Sequence, residues 1–194
     1  MRWYWLLPLL AAGLQQLGTA GLIHAKALLA PLLVASAWDM QLADGVAHKP
    51  WPWADTWPVA HLRVPELSVE QFVLAGTRGN ALAFGPGLDA AGAIPGTPGI
   101  AVIGGHRDTH FSFLREITPG MRVALQLQDG NWRVFAVSGA EVIDTRKPAA
   151  LPYAPDTAQL QLVTCYPFDS LDPGGPLRYV VNATLEQTLP VFNL

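Results

Sequence analysis

Beyond residue 58 the chain breaks into short apolar runs, each closed by glycine, proline, asparagine or aspartate, and no run is long enough for a core-forming helix. Val59–Val64, Gln71–Ala75, Ile100–Gly104, Arg122–Leu127, Trp132–Val142, Leu160–Thr164 and Arg178–Leu185 read as strands. Apolar runs of this length between turn formers fit a pleated surface that buries one face. Asp129-Gly130, between two of the runs, is a hairpin signal. Ala81–Phe84 and Phe111–Glu116 suit short helical pieces. Seven or eight short strands without long helices reach a stable core by closing into a barrel or stacking as a sandwich.

The N-terminal third behaves differently. Trp3 to Ile23 carries no charged residue, just enough for the roughly 20 apolar residues that cross a bilayer as helix. Trp3, Tyr4 and Trp5 suit the headgroup level, and Arg2 favours keeping that end in the cytoplasm. A second apolar stretch, Ala27 to Trp38, contains Pro31 and is too short to span; it is expected to continue the helix out of the membrane, along its surface or on the domain. The rival reading is a cleaved signal peptide ending near Ala35-Ser36-Ala37, but the apolar region exceeds the roughly 7–15 residues of a signal core. The organisation expected is a transmembrane and juxtamembrane helical segment (1–38), a Pro/Trp-rich connector (39–58) whose three tryptophans pack on the domain, and a β domain (59–194).

Hydrophobic residues make up 51% and charged ones 14%, which excludes a disordered chain. With a net charge of -3 and no Lys/Arg cluster, a nucleic-acid partner has no electrostatic footprint. The lone cysteine, Cys165, excludes an intramolecular disulfide and a cysteine-based zinc site. No cofactor enters the reading.

Cys165 ends the run Leu160-Gln161-Leu162-Val163-Thr164 and precedes the turn-rich Tyr166-Pro167-Phe168-Asp169. His106 ends Ile100–Gly105, and Arg178 opens a later strand. A thiol, an imidazole and a guanidinium at three strand ends are the parts of a cysteine acyl-transfer site. Cys165 would attack a carbonyl as thiolate. His106 would protonate the leaving amine and deprotonate the incoming one. Arg178 would stabilise the oxyanion or hold the substrate backbone. The Tyr166 amide is a candidate second oxyanion donor, and the Thr164 hydroxyl a candidate substrate contact. Asp108 and His110 are candidates to orient His106 or line the groove.

The run Ile103-Gly104-Gly105-His106-Arg107-Asp108, then Leu162-Val163-Thr164-Cys165, then Arg178, resembles the sortase family across Val59–Leu185. The family's signature is a histidine at one barrel-strand end, a segment ending Thr-Cys, and an arginine one strand later. Gln159 to Val163 departs from the stricter Thr-Leu-x-Thr-Cys form by lacking its first threonine. His106-Arg107-Asp108-Thr109-His110-Phe111 is similar to the subset in Gram-negative proteobacteria, called class GN or marine proteobacterial. The resemblance implies a mainly β, closed eight-stranded barrel with short helices behind an N-terminal membrane helix. It also implies cleavage of an LPxTG-like sorting signal near the C-terminus of a secreted protein, transfer to an amine acceptor, and an inner-membrane enzyme facing the periplasm. Calcium dependence, found in some sortases, has no acidic cluster to rest on, because Glu66, Glu70, Asp89, Glu116 and Glu141 are scattered.

Three rivals stand beside this reading. His106-x-Asp108-x-His110 places three possible ligands on one face of an extended segment, as a metal-dependent hydrolase would need; the remaining histidines, His24, His48 and His61, all lie upstream. A cysteine L,D-transpeptidase would carry Ser-His-Gly-Cys where this chain has Thr164-Cys165. A non-catalytic envelope-binding β domain would have no need of an accessible thiol.

Overall fold

The computed structural model describes residues 6–78, 81–147, 156–170 and 174–186. The expected anchor residues Arg2, Trp3, Tyr4 and Trp5 lie outside them. A single helix, α1 (Leu6–Asp44), runs through Pro31 and six residues past the expected boundary at Trp38. Its buried residues, Ala30, Val34, Ala37, Trp38 and Gln41, recur at helical spacing and form the stripe that docks on the barrel. Trp38 packs on Phe72 at 6.3 Å. Gly45, at φ 74°, ends the helix by turning its amide onto the Gln41 carbonyl, a left-handed cap that a Cβ would oppose. Residues 8–16 are exposed. Among the described residues no helix is long and apolar enough to cross a membrane, so the expected spanning segment is not found there.

Trp51 packs edge-on against Phe84 at 4.9 Å, as expected of the connector, whereas Trp53 is 81% exposed.

The β domain comprises β1 (Pro58–Val64), β2 (Val69–Ala75), β3 (Gly87–Leu88), β4 (Gly99–Gly104), β5 (Arg122–Leu127), β6 (Trp132–Asp144), β7 (Ala158–Cys165) and β8 (Leu177–Leu185). They close into a barrel in the order β1-β2-β3-β4-β7-β8-β6-β5, the barrel expected from the sequence. A four-residue helix, α2 (Ala81–Phe84), lies where a helical piece was expected, and the piece at Phe111–Glu116 is a 3-10 turn over Ser112–Arg115. Asp129 and Gly130 turn the β5–β6 hairpin, with the Asn131 amide on Asp129 Oδ1 at 2.9 Å. The two-residue β3 was not among the expected strands. It joins β2 in parallel to β4 in antiparallel sense, and so completes the circle.

Inward residues of alternate positions fill the barrel: Leu62, Val64, Ile103, Leu125, Phe135, Leu160, Leu162 and Val181 are all at 0% exposure. Removing side chains of this size from water is the principal stabilising term, on the order of 2 kcal/mol each. The alternation also decides which residues face out. On β4, β7 and β8 the inward set includes Ala101, Ile103, Leu160, Leu162, Val181 and Ala183. Cys165 and Arg178 therefore lie on the outer face, as does the position of His106 two residues beyond Gly104.

Candidate active site

Strand register assembles the site. β4 pairs with β7 in parallel, Gly104 opposite Val163. The Gly105 amide then donates to the Val163 carbonyl at 3.1 Å. Two steps further along the same register, His106 comes level with Cys165. On the other side β7 pairs with β8 in antiparallel sense, Cys165 directly opposite Arg178. The Tyr166 amide donates to Leu177 at 3.1 Å. Hydrogen-bonded and open pairs alternate, so Cys165 and Arg178 form an open pair, with Cα atoms about 4.5 Å apart. The end of β4 that leads to His106, and Cys165 and Arg178 on β7 and β8, thus lie side by side on one outer face, about 4.8 Å apart from strand to strand. Cys165 is partly accessible, Arg178 half-buried and His106 exposed. The sulfur is not sealed in the core.

Arg178 is held by its own loop. Its Nη1 donates to the carbonyls of Gly175 and Leu177. Nε and Nη2 have no partner among the described residues. A guanidinium oriented by one nitrogen and open at two others can receive a developing oxyanion.

Thr164 has a different role from the one expected. It is 2% exposed and points inward with Leu160 and Leu162. Its Oγ1 donates to the Gly105 carbonyl at 2.7 Å. The hydroxyl is therefore not a substrate contact: it ties the residue before the cysteine to the residue before the histidine. The Tyr166 amide is likewise engaged by Leu177, so in this arrangement it does not supply a second oxyanion donor. The Tyr166 ring stacks on Tyr179 at 6.1 Å and meets Phe168 edge-on, in an aromatic cluster beside the cysteine.

Gly105 is required by its neighbours as well as by the ladder. A Cβ there would lie 2.8–3.0 Å from the ring of the fully buried Phe111. The Phe111 amide donates back to the His106 carbonyl at 2.9 Å, closing the turn that carries the imidazole.

His110 sits within electrostatic reach of His106. Burial pushes its imidazole below the ordinary value, the charge of His106 lowers it further, and the Ala83 carbonyl opposes both. The His110 carbonyl accepts from Gln71 Nε2 at 2.7 Å. Asp108 is exposed and makes no hydrogen bond among the described residues, so it does not orient His106 here. Among the described residues no three His, Cys, Asp or Glu side chains come together to hold a metal ion, which removes the basis of the metal-hydrolase reading of His106, Asp108 and His110. Sequence reasoning gave no role to Arg107 or Arg115. Their partners lie some fifty to sixty residues downstream, so spacing carried no signal of the contact.

The barrel has counterparts among known proteins. Residues 62–186 match the Sortase domain family. Sortase D of Bacillus subtilis (strain 168) is 28% identical over 120 residues, which are 62% of this chain and 60% of that protein. The chain thus spans less than two thirds of the length of this curated relative. Among solved structures, sortase A from Corynebacterium diphtheriae superposes with a TM-score of 0.63 at 24% identity, covering 71% of this chain and 65% of that one. A Clostridium perfringens sortase D5 transpeptidase superposes with a TM-score of 0.59 at 20% identity, over 68% and 80% of the two chains. At these identities the superpositions show a shared barrel. With the family match covering most of the β domain, the chain belongs to the sortase family.

Proposed function

We propose that the chain cleaves a sorting signal near the C-terminus of a secreted protein and transfers the acyl fragment to an amine. The observation that supports this reading is the strand register, with Cys165 opposite Arg178 and Gly104, two residues before His106, opposite Val163. The Cys165 thiolate adds to the scissile carbonyl, and the oxyanion forms against Arg178. As the C–N bond breaks, His106 delivers a proton to the leaving amine, and a thioester to Cys165 remains. An incoming amine adds to that thioester and gives up its proton to His106, and the thiolate leaves. Water in place of the amine gives hydrolysis.

An LPxTG-like signal and the proteobacterial class are supported by the His106–Phe111 segment and the Thr164-Cys165 pair. Attachment to the inner membrane, with the barrel in the periplasm, is supported by the uncharged stretch from Trp3 to Ile23. The exposed Leu9, Leu10, Leu14, Leu28, Leu29, Leu32 and Leu33 of α1 support it further. The test is mass spectrometry of the chain incubated with LPxTG-type peptides. An adduct of the acyl fragment on Cys165, absent in Cys165→Ala, is the expected result. A chain that forms no adduct with any such peptide would instead fit the non-catalytic envelope-binding domain.

A further inference from the structure

Two arginines leave the segment that follows His106 and land on three consecutive residues of the loop that follows Cys165. Nη2 of Arg107 donates to the Ser170 carbonyl. The Arg115 guanidinium lies 5.2 Å above the Phe168 ring, with Nη1 3.6 Å from Asp169 Oδ1. Just before β8 and at its first residue, the Gly175 and Leu177 carbonyls hold Nη1 of Arg178. The described residues between Cys165 and Arg178 therefore meet the histidine segment at 168–170 and the guanidinium at Gly175.

We infer that Arg107 is a positioning residue for His106: by bonding to Ser170 it fixes the turn that bears the imidazole against the loop joining Cys165 to Arg178. The inference rests on the site assignment above. His106 has left the β4–β7 ladder, whose last backbone bond is that of Gly105, and its side chain is exposed. Backbone pairing thus sets where His106 begins but not where the imidazole stays. The His106 carbonyl is fixed from one side by the Phe111 amide, and Arg107, the next residue, fixes the turn from the other. A bond from a guanidinium to a carbonyl is charge-assisted, and half-burial of Arg107 shields it from competing water. Arg115 is the outer member of the pair. Its Asp169 partner is 92% exposed, so that ion pair contributes little, and its weight lies in covering Phe168. Neither arginine needs to touch substrate.

The experiment compares Arg107→Met, which keeps the apolar stem and loses the donors, with Arg107→Lys, which keeps one donor group. Both full-length variants are assayed on the LPxTG-type peptide that the unaltered chain cleaves, beside Cys165→Ala. Arg107→Met is expected to lose about 10–100-fold in kcat, the scale of a misplaced catalytic group. KM should stay within about twofold and the melting temperature within about 4 °C. Arg107→Lys should recover most of the loss. Unchanged kcat in Arg107→Met would overturn the inference while leaving the site reading intact. So would a loss matched by a large fall in melting temperature and not relieved by lysine, which marks a purely structural residue. Continued turnover by Cys165→Ala would remove the site reading itself.

Discussion

Arg178 meets its own backbone before it meets any substrate. With Nη1 bound to Gly175 and Leu177, the guanidinium plane is oriented in advance and need not be ordered as charge develops on the substrate. Lysine would keep the charge but could not satisfy both carbonyls and still present a directed donor to the oxyanion. Arg178→Lys is therefore expected to lower kcat about 100- to 1,000-fold, the cost of removing one oxyanion donor, in steady-state peptide cleavage; near-normal turnover would show that Arg178 serves only the scaffold. A second residue-scale effect sits across the barrel. His61 is 7% exposed, stacks on Phe72 at 4.6 Å and has Nε2 2.9 Å from Glu70 Oε1. Burial pushes its imidazole below the ordinary value; the Glu70 carboxylate opposes this, Arg63 reinforces it, and Asp39 of α1 opposes it weakly. The unfolded chain then takes up a proton near pH ~6.5, where the folded chain resists it. The stabilisation is complete above that pH and is lost as pH falls toward the lowered folded value. His110 carries the same sign. The melting temperature should fall on moving from pH 7.5 to 5.5, and His61→Gln should flatten that slope; an unchanged slope in the variant would place the titration elsewhere.

At the scale of elements, the proposed active site is a product of two ladders and one clamp. Antiparallel β7–β8 pairing sets Cys165 opposite Arg178, and parallel β4–β7 pairing brings the strand end before His106 alongside them. The Thr164 bond to Gly105 locks the first ladder where it ends. Thr164→Val keeps the shape and removes the donor, leaving the Gly105 carbonyl short of a partner. The expected cost is about 1–2 kcal/mol of stability in denaturant unfolding, with a fall in kcat larger than any change in KM. Thr164→Ser should restore both, whereas a loss in KM alone would return the hydroxyl to substrate binding. The strand ends at His106, Cys165 and Arg178 were legible because turn formers stop the apolar runs at those points. The inward direction of Thr164 was legible too, since it shares the alternation of Leu160 and Leu162, but the motif drew attention to the chemistry first. β3 was not legible: two residues hold no alternation, and Gly87–Leu88 becomes a strand only through partners on β2 and β4. The far end of α1 was missed because Asp39, Gln41 and Asp44 read as polar connector, yet Trp38 and Gln41 continue the buried stripe of Ala30, Val34 and Ala37.

For the whole molecule, the circular strand order places β7 four strands from β1 in either direction. The wall carrying Cys165 is therefore opposite β1, against which α1 packs beside β2 through Phe72 and Leu74. α1 thus docks on the wall opposite the strand that carries Cys165. Docking of α1 and the chemistry should then separate on mutation. Ala37 is fully buried between α1 and the barrel, and a glutamate there would have to bury a charge or lift the helix, of which lifting costs less. Ala37→Glu is expected to raise hydrogen–deuterium exchange of the amides at residues 30–44 to near that of a free helix, while amides of β4, β7 and β8 keep their protection. Turnover of a soluble LPxTG-type peptide should stay within about threefold, because none of His106, Cys165 and Arg178 rests on α1. A loss of turnover much larger than this, with barrel protection intact, would show that the docked helix supports the catalytic face through the wall rather than merely holding the barrel in place.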